Sequence, residues 1–162
     1  SKLEPTNTEQ AKARHTIITA LPHADTEEIH YLINALSKLE PTNTEQAKAR
    51  HTIITALPNN GPWNIDKLIN TLLRLEPTEA ERAKARQAII KTLPNNDPWN
   101  IDKLINTLLR MEPTKTERTK ARQTVLTVLS EAGPVTFYIL VRLLRRLTSV
   151  NDWLAALGIE SA

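Results

Sequence analysis

The chain has 162 residues, 40% apolar and 24% charged, which is ordinary for a soluble globular protein. Lysine and arginine number 21 against 18 acidic residues, so the net charge is only +3 and no basic stripe of the kind that grips nucleic acid stands out. Cysteine is absent, which excludes disulfides and thiolate metal sites. With no apolar run of membrane-span length and no visible signal peptide, the expected setting is the cytoplasm.

An internal repeat dominates the sequence. Ser1 to Pro22 returns letter for letter as Ser37 to Pro58. Pro58 to Leu75 returns as Pro94 to Met111, with Gly61 replaced by Asp97 and Leu75 by Met111. The period is 36 residues, and a period of this length fixes the architecture before any single residue does.

Each repeat reads as two helices. The first opens at Thr6, Thr42, Thr78 and Thr114, each followed three residues later by Glu9, Glu45, Glu81 or Glu117. This is the capping-box spacing, in which threonine and glutamate satisfy each other's free backbone N–H groups. Pro5, Pro41, Pro77 and Pro113 disfavour helix just before these caps. The first helix is expected to run to Leu21, Leu57, Leu93 and Leu129. The second opens at Asp25, Gly61, Asp97 and Gly133, with Pro62, Pro98 and Pro134 at the first helical position, where a missing N–H costs nothing. Ile29, Leu32, Ile33 and Leu36 form one buried stripe, repeated at Ile65, Leu68, Ile69, Leu72 and at Ile101, Leu104, Ile105, Leu108.

A single hairpin of this size cannot bury its apolar surface, so neighbouring hairpins must stack. The expected fold is all-α: an α-solenoid of four 36-residue helix-turn-helix repeats, 1–36, 37–72, 73–108 and 109–147, plus a short C-terminal capping helix in 148–162, all one domain. The last repeat departs from the others. Phe137-Tyr138-Ile139-Leu140-Val141 with Leu143, Leu144 and Leu147 makes its second helix apolar on nearly every side, as in a buried helix. Ser149 is placed to cap a helix over Val150 to Leu157, stopped by Gly158, whose Trp153, Leu154 and Leu157 are expected to face back onto Ile139 and Leu143; a dimer-forming patch is the alternative reading. No equivalent cap precedes Leu3, so the first helix is expected to expose an apolar flank that invites self-association or once met a missing preceding unit.

The repeat ends carry a family resemblance. Leu72-Leu73-Arg74-Leu75-Glu76-Pro77 resembles the close of a tetratricopeptide repeat, where a helix ends on an acidic residue and a proline. Hairpin pattern and repeat length are similar too, over Ser1 to Leu147. The period of 36 departs from that family's usual length of about 34, and its glycine and tyrosine of the first helix are absent. Similar near-identical helical repeats occur in the sensor arms of bacterial signal-transducing ATPases with numerous domains. The chain begins in mid-pattern at Ser1, which reads as a fragment or as an engineered protein made by copying one unit. The resemblance implies a groove lined by the first helices.

If so, the groove residues are Lys12, His15, Thr16 and Thr19 in the first repeat and Lys48, His51, Thr52 and Thr55 in the second. In the third they are Lys84, Gln87 and Lys91, with Ala88. In the fourth they are Lys120, Gln123 and Thr127, with Thr124. A plain solvated face is the competing reading. Arg14, Arg50, Arg86 and Arg122 fall between the two apolar sides of the first helix, and a half-buried arginine needs a partner. Glu40, Glu76 and Glu112, at the ends of the second helices, are the expected carboxylates. Together they would form an ion-pair ladder that fixes repeat register.

No catalytic constellation, Gly-rich phosphate loop or metal-ligand set is visible. His15 and His51 fall short of a zinc site, so no enzyme activity, metal or cofactor is expected. The expected function is a structural or protein-interaction scaffold whose groove takes a peptide or protein. The alternative is an RNA-binding hairpin-repeat module, which near-identical repeats and balanced charge argue against. No membrane partner is expected.

Overall fold

The structure, a computed structural model, describes residues 6–130 and 133–148. Among the described residues the chain is all-α, with eight α-helices and no strand. The first helices of the four repeats are α1 (Asn7–Ala20), α3 (Asn43–Ala56), α5 (Glu79–Thr92) and α7 (Lys115–Leu129). The second helices are α2 (Thr26–Ser37), α4 (Pro62–Arg74), α6 (Pro98–Arg110) and α8 (Pro134–Leu147).

Local sequence chemistry sets these boundaries. Thr6, Thr42 and Thr114 are N-caps with complete capping boxes, and the Thr78 and Glu81 groups make the same reciprocal bonds. Asp25 with Glu28 closes a further box ahead of α2, while Gly61, Asp97 and Gly133 cap α4, α6 and α8. The α-helical part of each of the first three first helices stops one residue short of its leucine. A 3-10 turn follows, Leu21–His23, Leu57–Asn59 or Leu93–Asn95, each with proline in its second position. Proline has no N–H to continue the α-helical ladder, and the tighter turn carries the chain round.

Two compact units are present, Ser1–Ala85 and Arg86–Ala162, with the division inside α5. In the first, α1 packs with α2 and α3 with α4, while α3 also lies on α1 and α4 on α2. In the second, α7 runs along α8, and α6 packs against both. The second helices supply most of the core. Ile65, Leu68, Ile69 and Leu72 are fully buried, as are Ile101, Leu104, Ile105 and Leu108. Ile29, Ile33 and Leu36 are buried too, but Leu32 is only half-buried. The first helices contribute little apart from a small residue and a branched one: Ala49 and Ile53, Ala85 and Ile89, Ala121 and Val125. A buried alanine leaves room for a neighbouring backbone to approach, which suits the polar remainder of these helices.

The ends of the pattern differ from its middle. No residue of α1 is fully buried, and Ile17 is half-buried where Ile53 is enclosed, so an apolar flank is exposed. In α8, Ile139, Leu140, Leu143 and Leu147 are buried, whereas Phe137 is 51% and Tyr138 73% exposed. The expected capping helix over Val150 to Leu157 lies outside the described residues. Trp63 and Trp99, second residues of α4 and α6, stand 68% and 65% exposed.

The burial difference between identical isoleucines is testable. Ile53→Ala should lower stability by about 3 kcal/mol and Ile17→Ala by roughly 1 kcal/mol, since only the former leaves an enclosed cavity. Equilibrium urea denaturation followed by circular dichroism measures both; equal losses would contradict the burial pattern.

Candidate functional site

The expected arginine ladder takes a different set of partners. Arg14 Nε lies 3.1 Å from Glu45, Arg50 Nε 2.9 Å from Glu81, and Arg86 Nε 2.8 Å from Glu117. Each carboxylate is the capping-box glutamate of the following first helix. The anticipated partners, Glu40, Glu76 and Glu112, are exposed and occupy the left-handed backbone region, with φ of 49°, 49° and 53°. They turn the chain out of the second helix and into the proline ahead of the next cap. The residue just before each supplies a carbonyl instead: Arg14, Arg50 and Arg86 donate through Nη1 to Leu39, Leu75 and Met111 at 3.0, 3.2 and 3.1 Å. Helix ends leave carbonyls without intrahelical donors, and the guanidinium satisfies one of them. Arg122, expected as a fourth rung, is exposed and makes no ion pair among the described residues, because no further first helix follows it there.

Each glutamate therefore serves two helices. Glu81 accepts from the Thr78 backbone N–H at 2.8 Å and from Arg50 on the same oxygen. Burial pushes the carboxyls of Glu81 and Glu117 up. The hydrogen bonds from Thr78 and Thr114 and the neighbouring Arg50 and Arg86 outweigh it and hold both below the ordinary value of 4.5. Glu45 is lowered chiefly by the Thr42 backbone N–H, with Arg14 adding to it. Glu9, which has no arginine, is lowered by the Thr6 backbone N–H. Arginine side-chain exposure falls from 16% at Arg14 to 12% at Arg50 and 1% at Arg86, so the same contact becomes progressively drier.

The expected groove residues all lie on the solvent side of the first helices. Lys12, His15, Thr16 and Thr19 are exposed on α1, as are Lys48, His51 and Thr55 on α3, with Thr52 half-buried beside them. Lys84, Gln87 and Lys91 are exposed on α5, and Lys120, Gln123 and Thr127 on α7. The threonine hydroxyls donate one turn back. Thr16 bonds the Lys12 carbonyl at 3.0 Å, Thr19 that of His15 at 2.9 Å, and Thr52 and Thr55 those of Lys48 and His51 at 3.2 and 2.9 Å. Their protons are committed, so they face outward as acceptors between lysine donors.

One part of this face is concave. In the first compact unit, a cleft of about 510 Å³ brings His51, Thr52 and Thr55 of α3 together with Leu21, Pro22, Ala24 and Ile29 of the preceding hairpin. Ala56, Asn59 and Asn60 complete it. A second hollow of about 310 Å³ shares Ala24, Ile29, Ala56 and Asn60 with it. Asn60 is held in place by Thr26, whose hydroxyl donates to Oδ1 at 2.8 Å, and by its own amide, which donates to the Ala56 carbonyl at 2.8 Å. Ala24 is the residue that the sequence reading missed. It occupies the loop position held elsewhere by Asn60 and Asn96, both of which fold their amides back onto the helix before them. The signal was present in the break from Leu-Pro-Asn-Asn to Leu-Pro-His-Ala. His30, also unassigned from sequence, bonds Thr71 through Nδ1 at 3.2 Å inside the same unit. Among the described residues no group of three or more His, Asp or Glu could hold a metal ion. No protein-family model, curated protein or solved structure matches this chain.

The ladder makes two expectations for stability. Arg86→Met, which strips the driest rung and strands Glu117, should cost about 1–3 kcal/mol, whereas Arg122→Met should stay within about 0.5 kcal/mol. The lowered carboxyls add stability that is complete above pH 4.5 and is lost as pH falls through their folded values. Acid titration of the melting temperature should therefore show a decline beginning near pH 4.5, and it should be shallower in Arg86→Met. A flat profile down to pH 3 would contradict the shared-carboxylate arrangement.

Proposed function

We propose that this chain is a non-catalytic interaction scaffold of tetratricopeptide-like hairpins, stacked as an α-solenoid, whose first helices bind a peptide or protein in an extended form. The observation that carries the reading is the cleft joining His51, Thr52 and Thr55 to the apolar side chains of Leu21 and Ile29. Its volume falls within the range of about 300–1,000 Å³ typical of ligand sites. Its chemistry suits one apolar side chain of a peptide. The acceptor hydroxyls and the ring of His51 are available to a backbone passing over it, and Lys48 lies one turn away for a carboxylate. The cysteine-free composition goes with a cytoplasmic setting. No helix of the described residues is long and apolar enough to cross a membrane.

A protein ligand fits better than RNA. Single-stranded RNA is recognised largely by stacking of its bases on aromatic rings or guanidinium planes. Among the described residues the exposed Tyr, Trp and Phe side chains, Tyr31, Trp63, Trp99, Phe137 and Tyr138, all belong to second helices, and the proposed binding face offers only the imidazoles of His15 and His51.

Selection of a random displayed peptide library against the whole chain tests the proposal. Enriched peptides should share one large apolar residue, and their affinity for Thr55→Trp, which fills the cleft, should fall about tenfold or more. Peptides that bind Thr55→Trp and the parent equally would place the site elsewhere. Tight binding of mixed RNA at low salt, where phosphate contacts are strongest, would overturn the protein-ligand reading.

A further inference from the structure

Arg14, Arg50 and Arg86 each meet the glutamate 31 residues later, on the next first helix. Two members of the same series are left over at opposite ends. Among the described residues Arg122 is exposed and pairs with no carboxylate, and Glu9 is exposed, bonded to Thr6 of its own cap, and pairs with no arginine. Each is one half of a contact that the chain makes three times.

The apolar surfaces beside them are open in the same complementary way. Residues 7–20 and 43–56 are identical, so α1 presents to solvent the face that α3 lays on the hairpin before it. Ala49 and Ile53 are enclosed there, while Ala13 and Ile17 are half-buried. At the other end, Phe137 is half exposed where the equivalent Ile29, Ile65 and Ile101 are buried. Val141 and Leu144 are half-buried where Ile33 and Leu36 and their counterparts in α4 and α6 are enclosed. Leu129, too, is half-buried where Leu21, Leu57 and Leu93 are enclosed.

We propose that the α7–α8 face of one copy takes the α1 face of a second copy, head to tail, with Arg122 of the first bonded to Glu9 of the second. A second copy is the indicated occupant because α1 is, letter for letter, a surface already built to stack on such a hairpin. Its glutamate also has the sign that Arg122 requires. The interface is heterologous: each copy offers one face of each kind, so association continues beyond the dimer unless the ring closes.

Sedimentation velocity on the whole chain at low salt, over about a hundredfold range of concentration, reads the association directly. The parent should associate with rising concentration, and added salt should weaken it. Arg122→Glu disturbs no ion pair of the described residues and should weaken association roughly tenfold to a hundredfold, since it sets like charges together. Glu9→Arg should do the same. An equimolar mixture of the two should recover association, because Arg at position 9 then meets Glu at position 122; circular dichroism checks that both variants retain parental helicity. A parent that stays monomeric throughout, as when residues 149–162 occupy the α7–α8 face instead, overturns the proposal. So does an Arg122→Glu chain that associates as tightly as the parent, or a mixture of folded variants that fails to recover.

Discussion

A shared carboxylate holds this repeat together. In each full step a glutamate closes the N-terminus of its own first helix and accepts the arginine of the preceding one, and that arginine closes the C-terminus of the second helix between them. Three chain segments meet through one side-chain pair. An isolated ion pair at a surface would contribute little, since solvent screens it and both side chains lose freedom. Here the pair is part-buried, and both ends also satisfy backbone groups left over at helix termini, which would otherwise stay unpaired. The contribution is therefore one of register as much as of energy. Sliding one hairpin against the next would break the ion pair and leave a part-buried arginine and a part-buried carboxylate without each other.

This arrangement explains why the helix boundaries were legible in the sequence and the ladder partners were not. Thr42, Glu45, Pro41, Gly61 and Pro62 act on backbone groups within four residues, so their consequences follow from spacing alone. The stripe of Ile65, Leu68, Ile69 and Leu72 is likewise a local pattern with one burial outcome. The partner of Arg50 is a tertiary fact. Glu76 is near it in the chain and carries the right charge, but the left-handed turn at Glu76 removes it from the seam. Local spacing assigns Glu81 to its cap, and a carboxylate has lone pairs to spare for a second donor that spacing does not reveal. Offset was the available clue: Arg and capping Glu stand 31 residues apart at every step, the separation that adjacent stacked first helices require.

The candidate cleft was legible only in part. Helical spacing put His51, Thr52 and Thr55 on the outward side of α3, and they are there. Concavity depends on the neighbouring hairpin. Ala24, which has no amide to fold back as Asn60 and Asn96 do, lines the hollow from that hairpin together with Leu21, Pro22 and Ile29. In a chain copied so faithfully, identical residues report on stacking. The few unlike ones, Ala24 against Asn60 or His51 against Gln87, are where binding can differ from repeat to repeat.

Polarity is the last consequence of the shared carboxylate. Arginine always comes from the earlier helix and glutamate from the later one, so every stack of such hairpins has one end short of a carboxylate and the other short of a guanidinium. Two like ends brought together by a two-fold axis would set arginine against arginine or glutamate against glutamate. The contact that fixes order within the chain thus disfavours symmetric pairing through the same surface and favours contacts that preserve the direction of the repeat.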